Sequence, residues 1–494
     1  MRNGTPIVAF FCLALNACAL GPDYIRPELS VPEHWSNTAT ATQIDALVPP
    51  RWWTAFGDPE LDALLHAAVA QNLDLKIAAA NLEQSRAAAR VAAAPLWGTA
   101  ALQPSYAKTK QSRRIVEEPG ATLREQGMTA PLNPSKQYSL PLAVAYEFDL
   151  WGRMRRGREA ARAEFHATRE DAHTIYLTLL ASVAGVYFDI REIDERIALA
   201  ERVQALGNET LRIVEKKYAA GMLAQTDVLR VRAQAAQLND NVIELQRRRV
   251  ERQHALAVLL GKPPGAFEVP AKPLRPEIQV PQVASGLPSS LLARRPDVRA
   301  AEYRLIAANA RIGEAKAAFF PTLSLTGEYG YQSRALDNLV SNKSIAWGIN
   351  PQLYLPLFDG GKRRGQLRAA RAASEEAVER YRLTLLRAFE EVENALSSRL
   401  YHAQQQTQIA MAVEALNVAH EQVRRQYDHG RVALLEVLDA ERNLLAVEER
   451  ALTLYRARLD VVLFLYKALG GGWERDAYTD RQADGVSSAT RTGR

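Results

Sequence analysis

Cysteine is almost missing from this chain. Of 494 residues only Cys12 and Cys18 carry a thiol. Nothing after residue 18 can form a disulfide or act as a thiol nucleophile. Packing and association must therefore supply the stability that cross-links would otherwise give. Catalytic signatures are missing too. The eight histidines fall into no H-E-x-x-H or paired metal spacing. No Gly-x-Ser-x-Gly elbow, Walker loop or dinucleotide glycine set occurs. The expectation is a chain that is not an enzyme and holds no cofactor or metal. Cations outnumber anions, with a net charge of +6, but they spread through helical stretches without interleaved aromatics. Nucleic acid is not a partner this pattern supports. Long apolar runs are scarce: Ile7–Leu15 is too short to span a bilayer as a mature helix, and no other run approaches ~18 residues.

What is present begins at the N-terminus. Arg2 supplies a positive region, the apolar run follows, and it ends in "LNAC" at Leu15–Cys18. This reads as a secretory signal over residues 1–17. The cysteine resembles the lipobox of bacterial lipoproteins. That resemblance implies S-diacylglycerol and N-palmitoyl groups on Cys18 and, with Ala19 rather than Asp next, an outer-membrane address. An ordinary signal peptide cut near a cysteine is the alternative.

Helix formers dominate the rest, as in "AAANLEQSRAAARVAAAP". No proline occurs from Arg153 to Tyr218 or from Lys362 to Tyr427. Each stretch predicts a helix of ~100 Å at 1.5 Å per residue. Shorter helices are expected over Pro59–Ala94, Asp227–Leu260, Pro296–Phe320 and Leu434–Leu469. Leu438, Leu445, Leu452, Tyr455, Leu459, Val462 and Tyr466 follow steps of seven, three and four, a coiled-coil spacing. Ile190, Ile193, Ile197 and Ala200 do the same.

Between the helices, "SLPLAVAYEFDL", "PTLSLTGEYGY" and "SIAWGINPQLYLPLF" alternate apolar with small or polar residues. The stretch Leu102–Lys108 does so more weakly. Four strands with that period suit an outer-membrane barrel and equally a soluble hairpin with one wet face. The lipobox tips the balance toward the membrane.

The chain also repeats itself. "YAAGMLAQTDVL" at Tyr218–Leu229 matches "YDHGRVALLEVL" at Tyr427–Leu438, an offset of 209 residues. "FDLWGRMRRGREAARA" at Phe148–Ala163 matches "FDGGKRRGQLRAARA" at Phe358–Ala372 at the same offset after a one-residue gap. An internal duplication is the simplest account. Four strands cannot close in lipid, where every backbone group needs an internal partner. Two copies would give eight strands, a barrel filled by its own side chains; three would give twelve and a lumen. The expected fold is an α+β membrane protein: a trimeric 12-stranded β-barrel, four strands per chain, continued by a long α-helical coiled-coil periplasmic tunnel, with an internal two-fold repeat. Gly152, Gly360 and Gly361 sit where strand turns into helix.

Further stretches carry a family resemblance: "GPDYIRP" at 21–27, "WWTAFGDPELDALLHAAVAQNLDL" at 52–75, "LLARRPDVRAAE" at 291–302, "FFPTLSL" at 319–325, "VLDAERNLL" at 437–445 and "LYKALGGGW" at 465–473. In this order, over nearly the whole mature chain, they resemble the TolC/OprM-like outer membrane factors of tripartite efflux systems, of the NodT-type lipoprotein group. The resemblance implies a homotrimeric exit duct in the cell outer membrane for drugs or other small toxic compounds. It implies a periplasmic adaptor (membrane fusion) protein and an inner-membrane RND or similar transporter as partners. It also implies an equatorial domain from about residues 30–58, 261–290 and 467–494. The domains would be a lipidated and equatorial segment at 18–58, a first repeat at 59–260, a linker at 261–293, a second repeat at 294–469 and a tail at 470–494. A duct for type I protein secretion is the alternative function, and a non-conducting envelope lipoprotein is a third.

Tyr218, Gly221, Tyr427 and Gly430 would form the periplasmic tip turns. By the resemblance, Asp227, Glu436 and Asp439 line a closed aperture, tripled by symmetry into rings of carboxylates. Gln225, Thr226, Arg230 and Arg442 are candidates for a latch. A solvated helix face is the plain reading of the same acids.

Overall fold

The structure is a computed structural model that describes residues 19–28, 35–36, 49, 51–110, 112, 134–274, 278, 280–281 and 294–471. Cys18, the signal segment, most of the long loop at 109–136 and residues 472–494 lie outside the described residues.

The helices are α1 (Pro59–Gln71), α2 (Leu73–Ala93), α3 (Arg153–Ala219), α4 (Gln225–Leu259), α5 (Pro296–Ala317), α6 (Lys362–Asp428) and α7 (Leu434–Ala468). The strands are β1 (Thr99–Leu102), β2 (Ser105–Thr109), β3 (Ser135–Phe148), β4 (Thr322–Ser333) and β5 (Ile345–Tyr354). α3 and α6 have 67 residues each, and α4 and α7 have 35 each. Both pairs start 209 residues apart.

One expected helix is two. Pro59–Ala94 breaks at Asn72, whose extended backbone ends α1. Its side-chain oxygen accepts from Leu75 N–H at 3.0 Å, capping α2, and its amide donates to Leu259 O at 2.9 Å. An asparagine that caps and bridges interrupts a helix without proline or glycine.

The chain divides into two compact units, each drawn from both halves of the sequence. The first comprises residues 1–27, 83–166 and 303–379, and the second 28–82, 167–302 and 380–494.

The first unit holds the sheet. Its order is β1-β3-β4-β5, with β2 also pairing β3, every pairing antiparallel. β1 and β2 occupy one ladder beside β3: Leu102 faces Leu142, Ser105 faces Ser139, and Gln103 N–H donates to Pro141 O at 3.0 Å between them. Pro104 has no N–H to give, which divides the strand. Small residues bring α3 close to α5, with Ala160, Ala163, Ala307 and Ala310 buried together. Gly152, Gly360 and Gly361 have φ of 78°, 63° and 90° at the strand-to-helix turns.

The second unit holds the main core. Trp52 stacks on Tyr466 at 4.9 Å, and Phe56 meets Phe188 at 5.1 Å. The coiled-coil positions Leu452, Leu459, Val462 and Tyr466 are buried in that cluster, as is Ile190. Of the expected equatorial segments, Trp35, Trp52, Trp53, Phe56, Val269, Leu274, Ile278, Ala468 and Leu469 join it; much of the remainder is outside the described residues. α3 contains a stretch long and apolar enough to cross a membrane, against the expectation of none. Half of it is buried, because Leu179–Phe188 fills this core.

Ions are buried there as well. Arg191 donates to Glu60 at 2.5 Å, to Pro270 O at 3.0 Å and to the Tyr187 hydroxyl, which itself donates to Asp58 at 2.5 Å. Burial first, and the Asp58 carboxylate second, push the Tyr187 phenol far above its ordinary range. Satisfied on all sides, this network fixes how α1 seats on α3; removing one member would strand the others.

Candidate functional site

The sheet sorts its residues by face. β3 presents Tyr138, Leu140, Leu142, Val144, Tyr146 and Phe148 on one side. The register carries that face across: Leu142 pairs with Tyr329 and Tyr329 with Trp347; Val144 pairs with Gly327 and Gly327 with Ile349. Leu323, Leu325, Tyr331, Ile345 and Leu353 fall on the same side. Tyr106 joins it from β2, its ring 4.8 Å from Tyr138. The opposite face carries Gln137, Ser139, Glu147, Ser324, Thr326, Glu328, Asn350 and Gln352.

The apolar face is uncovered. Trp347 is 72% exposed and Ile349 67% exposed, and every β5 residue is exposed. An apolar surface this continuous marks a membrane or protein contact. Both edges are also open: the β1–β2 ladder at one end and β5 at the other have no further strand among the described residues. Three successive antiparallel pairings leave β5 antiparallel to β1. A second copy could therefore add β1 to β5 and keep the alternation of an outer-membrane sheet.

The two tips, in the second unit, are built alike. Gly221 N–H donates to Tyr218 O (2.8 Å) and Met222 N–H to Lys217 O (2.9 Å). Gly430 N–H donates to Tyr427 O (2.9 Å) and Arg431 N–H to Gln426 O (2.9 Å). These are paired Schellman closures, with glycine φ at 70° and 67°. The structure also joins them: Lys217 Nζ donates to the Tyr427 hydroxyl at 3.3 Å and lies 5.5 Å from its ring centre. Spacing along the chain gives no signal for that contact.

Asp227 lies in the first turn of α4 and Glu436 in the first turn of α7. Asp439 is one turn on and pairs with Arg442 at 3.1 Å. No hydrogen bond or ion pair among the described residues joins Asp227 to either α7 acid. Within one copy the three carboxylates are thus separate and half-buried or exposed. Further along α7, burial pushes the Glu441 carboxyl above its ordinary range while His420 and Arg424 pull it down. No group of side chains among the described residues could hold a metal ion.

The first unit also seats residues that follow Cys18. Leu20 N–H donates to Trp151 O at 3.1 Å, Arg156 donates to Asp23 at 2.7 Å, and Asn309 donates to Pro22 O at 2.9 Å. Gly21 lies so close to Gly313 that a Cβ there would stand 2.4 Å from the Gly313 Cα.

Comparison with known proteins agrees with this geometry. Residues 64–262 and 287–471 match the family described as Outer membrane efflux protein. The pyoverdine export outer membrane protein OpmQ of Pseudomonas aeruginosa is 33% identical, over 96% of this chain and 98% of its own. The cation efflux system protein CusC of Escherichia coli is 31% identical, over 94% and 98%. Among solved structures, the outer-membrane channel OprN superposes with a TM-score of 0.84 at 31% identity, over 92% of this chain and all of that one. The open state of the Neisseria gonorrhoeae MtrE outer membrane channel gives 0.79 at 31% identity, over 93% and 99%. This chain belongs to the outer membrane efflux protein family and is an outer-membrane component of an efflux pump.

Proposed function

We propose that three copies close their sheets edge to edge into one twelve-stranded barrel, and that the helices continue it as a periplasmic tunnel through which small toxic compounds leave passively. The observation that carries this is the sheet with one apolar face, one polar face and two open edges. Lipid covers the first face, water fills the second, and neighbouring copies complete the edges. In this reading the chain is two copies of one unit, half-helix, hairpin, long helix, turn and half-helix, as the equal helix lengths and the 209-residue step support. Cys18 carries the lipid. A periplasmic adaptor docks at the Gly221 and Gly430 tips and couples the duct to an inner-membrane transporter of RND or similar type.

Asp227, Glu436 and Asp439, tripled, narrow the periplasmic end with negative charge. Arg442 restrains Asp439 until the transporter complex engages. Relatives of near-equal identity are named for pyoverdine export, for toluene efflux and for cation efflux. A duct of one design thus serves unlike cargoes, and selection belongs to the partner transporter.

Purified chain in planar bilayers tests the reading. Conductance from a particle of three chains is expected, with Glu436→Ala plus Asp439→Ala raising conductance and weakening block by divalent cations. A conducting monomer, or no conductance from any assembly, would reject the duct; unchanged block would reject the aperture alone. A deletion strain should become sensitive to drugs, dyes or aromatic acids while its secreted proteins stay unchanged.

A further inference from the structure

A step of 209 residues relates the long helices, and a second step relates the half-helices that feed the sheet. α2 and α5 start 223 residues apart, and so do β1 and β4. Asp74 then matches Asp297, Leu75 matches Val298 and Leu82 matches Leu305. All four of those apolar residues are buried. Each residue of one repeat thus has a counterpart in the other.

Inside the first unit, α3 packs on α5. Ala160, Ala163, Ala307 and Ala310 are buried together, and Glu164 pairs with Arg311 at 3.0 Å. The counterparts of the four alanines are Ala369 and Ala372 on α6, and Gln84 and Ala87 on α2. All of these are exposed. The Glu164–Arg311 pair has Ala373 and Ala88 as counterparts, also exposed. Both charges are missing together, as expected of two positions that face each other. A lone glutamate or arginine on one side would be buried without a partner.

The strand-to-helix level shows the same imbalance. The Phe320 ring lies 4.8 Å from that of Trp151, whose indole donates to Pro321 O at 2.8 Å. Their counterparts are Trp97 and Gly360. Trp97 is 87% exposed, and beside Gly360 the side chains of Leu357 and Phe358 are 88% and 91% exposed. At the start of α3, a Cβ on Gly152 would meet Ala19 of the strap Ala19–Asp23 at 2.9 Å; on Gly360, Gly361 or Gly365 it would meet nothing. The contact is complete in the middle of the unit, and half of it is left over at each end. Those ends are the open edges of the sheet, since α2 leads into β1 and α6 follows β5. A copy that lays its β1 along β5 brings its α2 beside α6.

We propose that α6 of each copy packs on α2 of the next through the contact that α3 makes with α5 inside one chain. Ala369 and Ala372 meet Gln84 and Ala87, Ala373 meets Ala88, and Trp97 of the next copy covers Gly360 and Gly361. The two faces differ, so the contact is head to tail and closes as a ring when its rotation does. The proposal rests on the reading that sheets of neighbouring copies join edge to edge, and it adds which helices meet and at which residues.

Paired cysteines in the full-length chain test it. Ala369→Cys is combined in turn with Gln84→Cys, Ala87→Cys or Ala88→Cys and oxidised in isolated outer membranes, while native mass spectrometry counts the chains in the extracted particle. At least one pair is expected to link half of the chains or more into species of two and three chains. Ala160→Cys plus Ala310→Cys is expected to link within one chain only. Ala89→Cys, on the opposite side of α2 by the helical period, is expected to link to Ala369→Cys at least five-fold less. A particle of three chains in which none of the three pairs links would overturn the contact and leave the joined sheets standing. Links within one chain, or equal linking through Ala89→Cys, would overturn it too. A particle of one chain would overturn both readings.

Discussion

The sheet of the first unit and the helical core of the second use similar apolar residues to opposite ends. Around Trp52, Phe56, Tyr187 and Phe188 the chain covers its own carbon completely and pairs every buried arginine it places there with carboxylates or carbonyls. In β3–β5 it leaves Trp347, Ile349, Leu353 and Tyr329 uncovered. A single chain finishes the first region. In the proposed reading, the second is finished by lipid and by further copies. The contrast explains how one sequence can be rich in helix-forming, charged residues and still belong to a membrane.

Substitutions should break that contrast in graded steps. Phe188→Ala, fully buried between Phe56 and Tyr187, is expected to cost about 3–5 kcal/mol, read as loss of helical circular dichroism at lower denaturant. On the sheet the sign depends on the face. Ile349→Arg is expected to cost about 2–4 kcal/mol near mid-bilayer, seen as loss of heat-modifiable protein in the outer membrane. Its neighbour Asn350→Arg should insert normally. Equal behaviour of the two would refute the face assignment.

At the tips, Gly221→Ala and Gly430→Ala meet no steric obstacle, so only the left-handed backbone opposes them, at about 1–2 kcal/mol each. Similar losses of thermal stability from both would show that the two tips are energetically alike. The smallest effect concerns Glu441. Burial raises its carboxyl, so the folded state resists ionisation. That penalty is absent below the ordinary glutamate range and complete once pH exceeds the raised value. Glu441→Gln should therefore match the parent in acid and melt slightly higher near neutral pH.

Much of this was legible in the sequence, for reasons that can be named. The long helices end within a residue or two of their expected limits because glycine turns and proline-containing connections punctuate them. Period-two alternation placed β3, β4 and β5. The break at Asn72 was hidden because it depends on a carbonyl 187 residues away. The strap from Ala19 to Asp23 was hidden likewise, since its partners Arg156 and Asn309 are remote in the chain. Of the tip, the turns were readable from Tyr-x-x-Gly. The Lys217–Tyr427 contact was not, because it joins two helix ends that only folding brings together.

Oxidative cross-linking of the two sheet edges tests the central claim most directly. Ala101→Cys on β1 would be combined in turn with Ala346→Cys, Gly348→Cys, Asn350→Cys or Gln352→Cys on β5, all on the polar face. The account predicts that at least one pair gives a covalent ladder that stops at three chains. Closure within a single chain, or a ladder running past three, would contradict it.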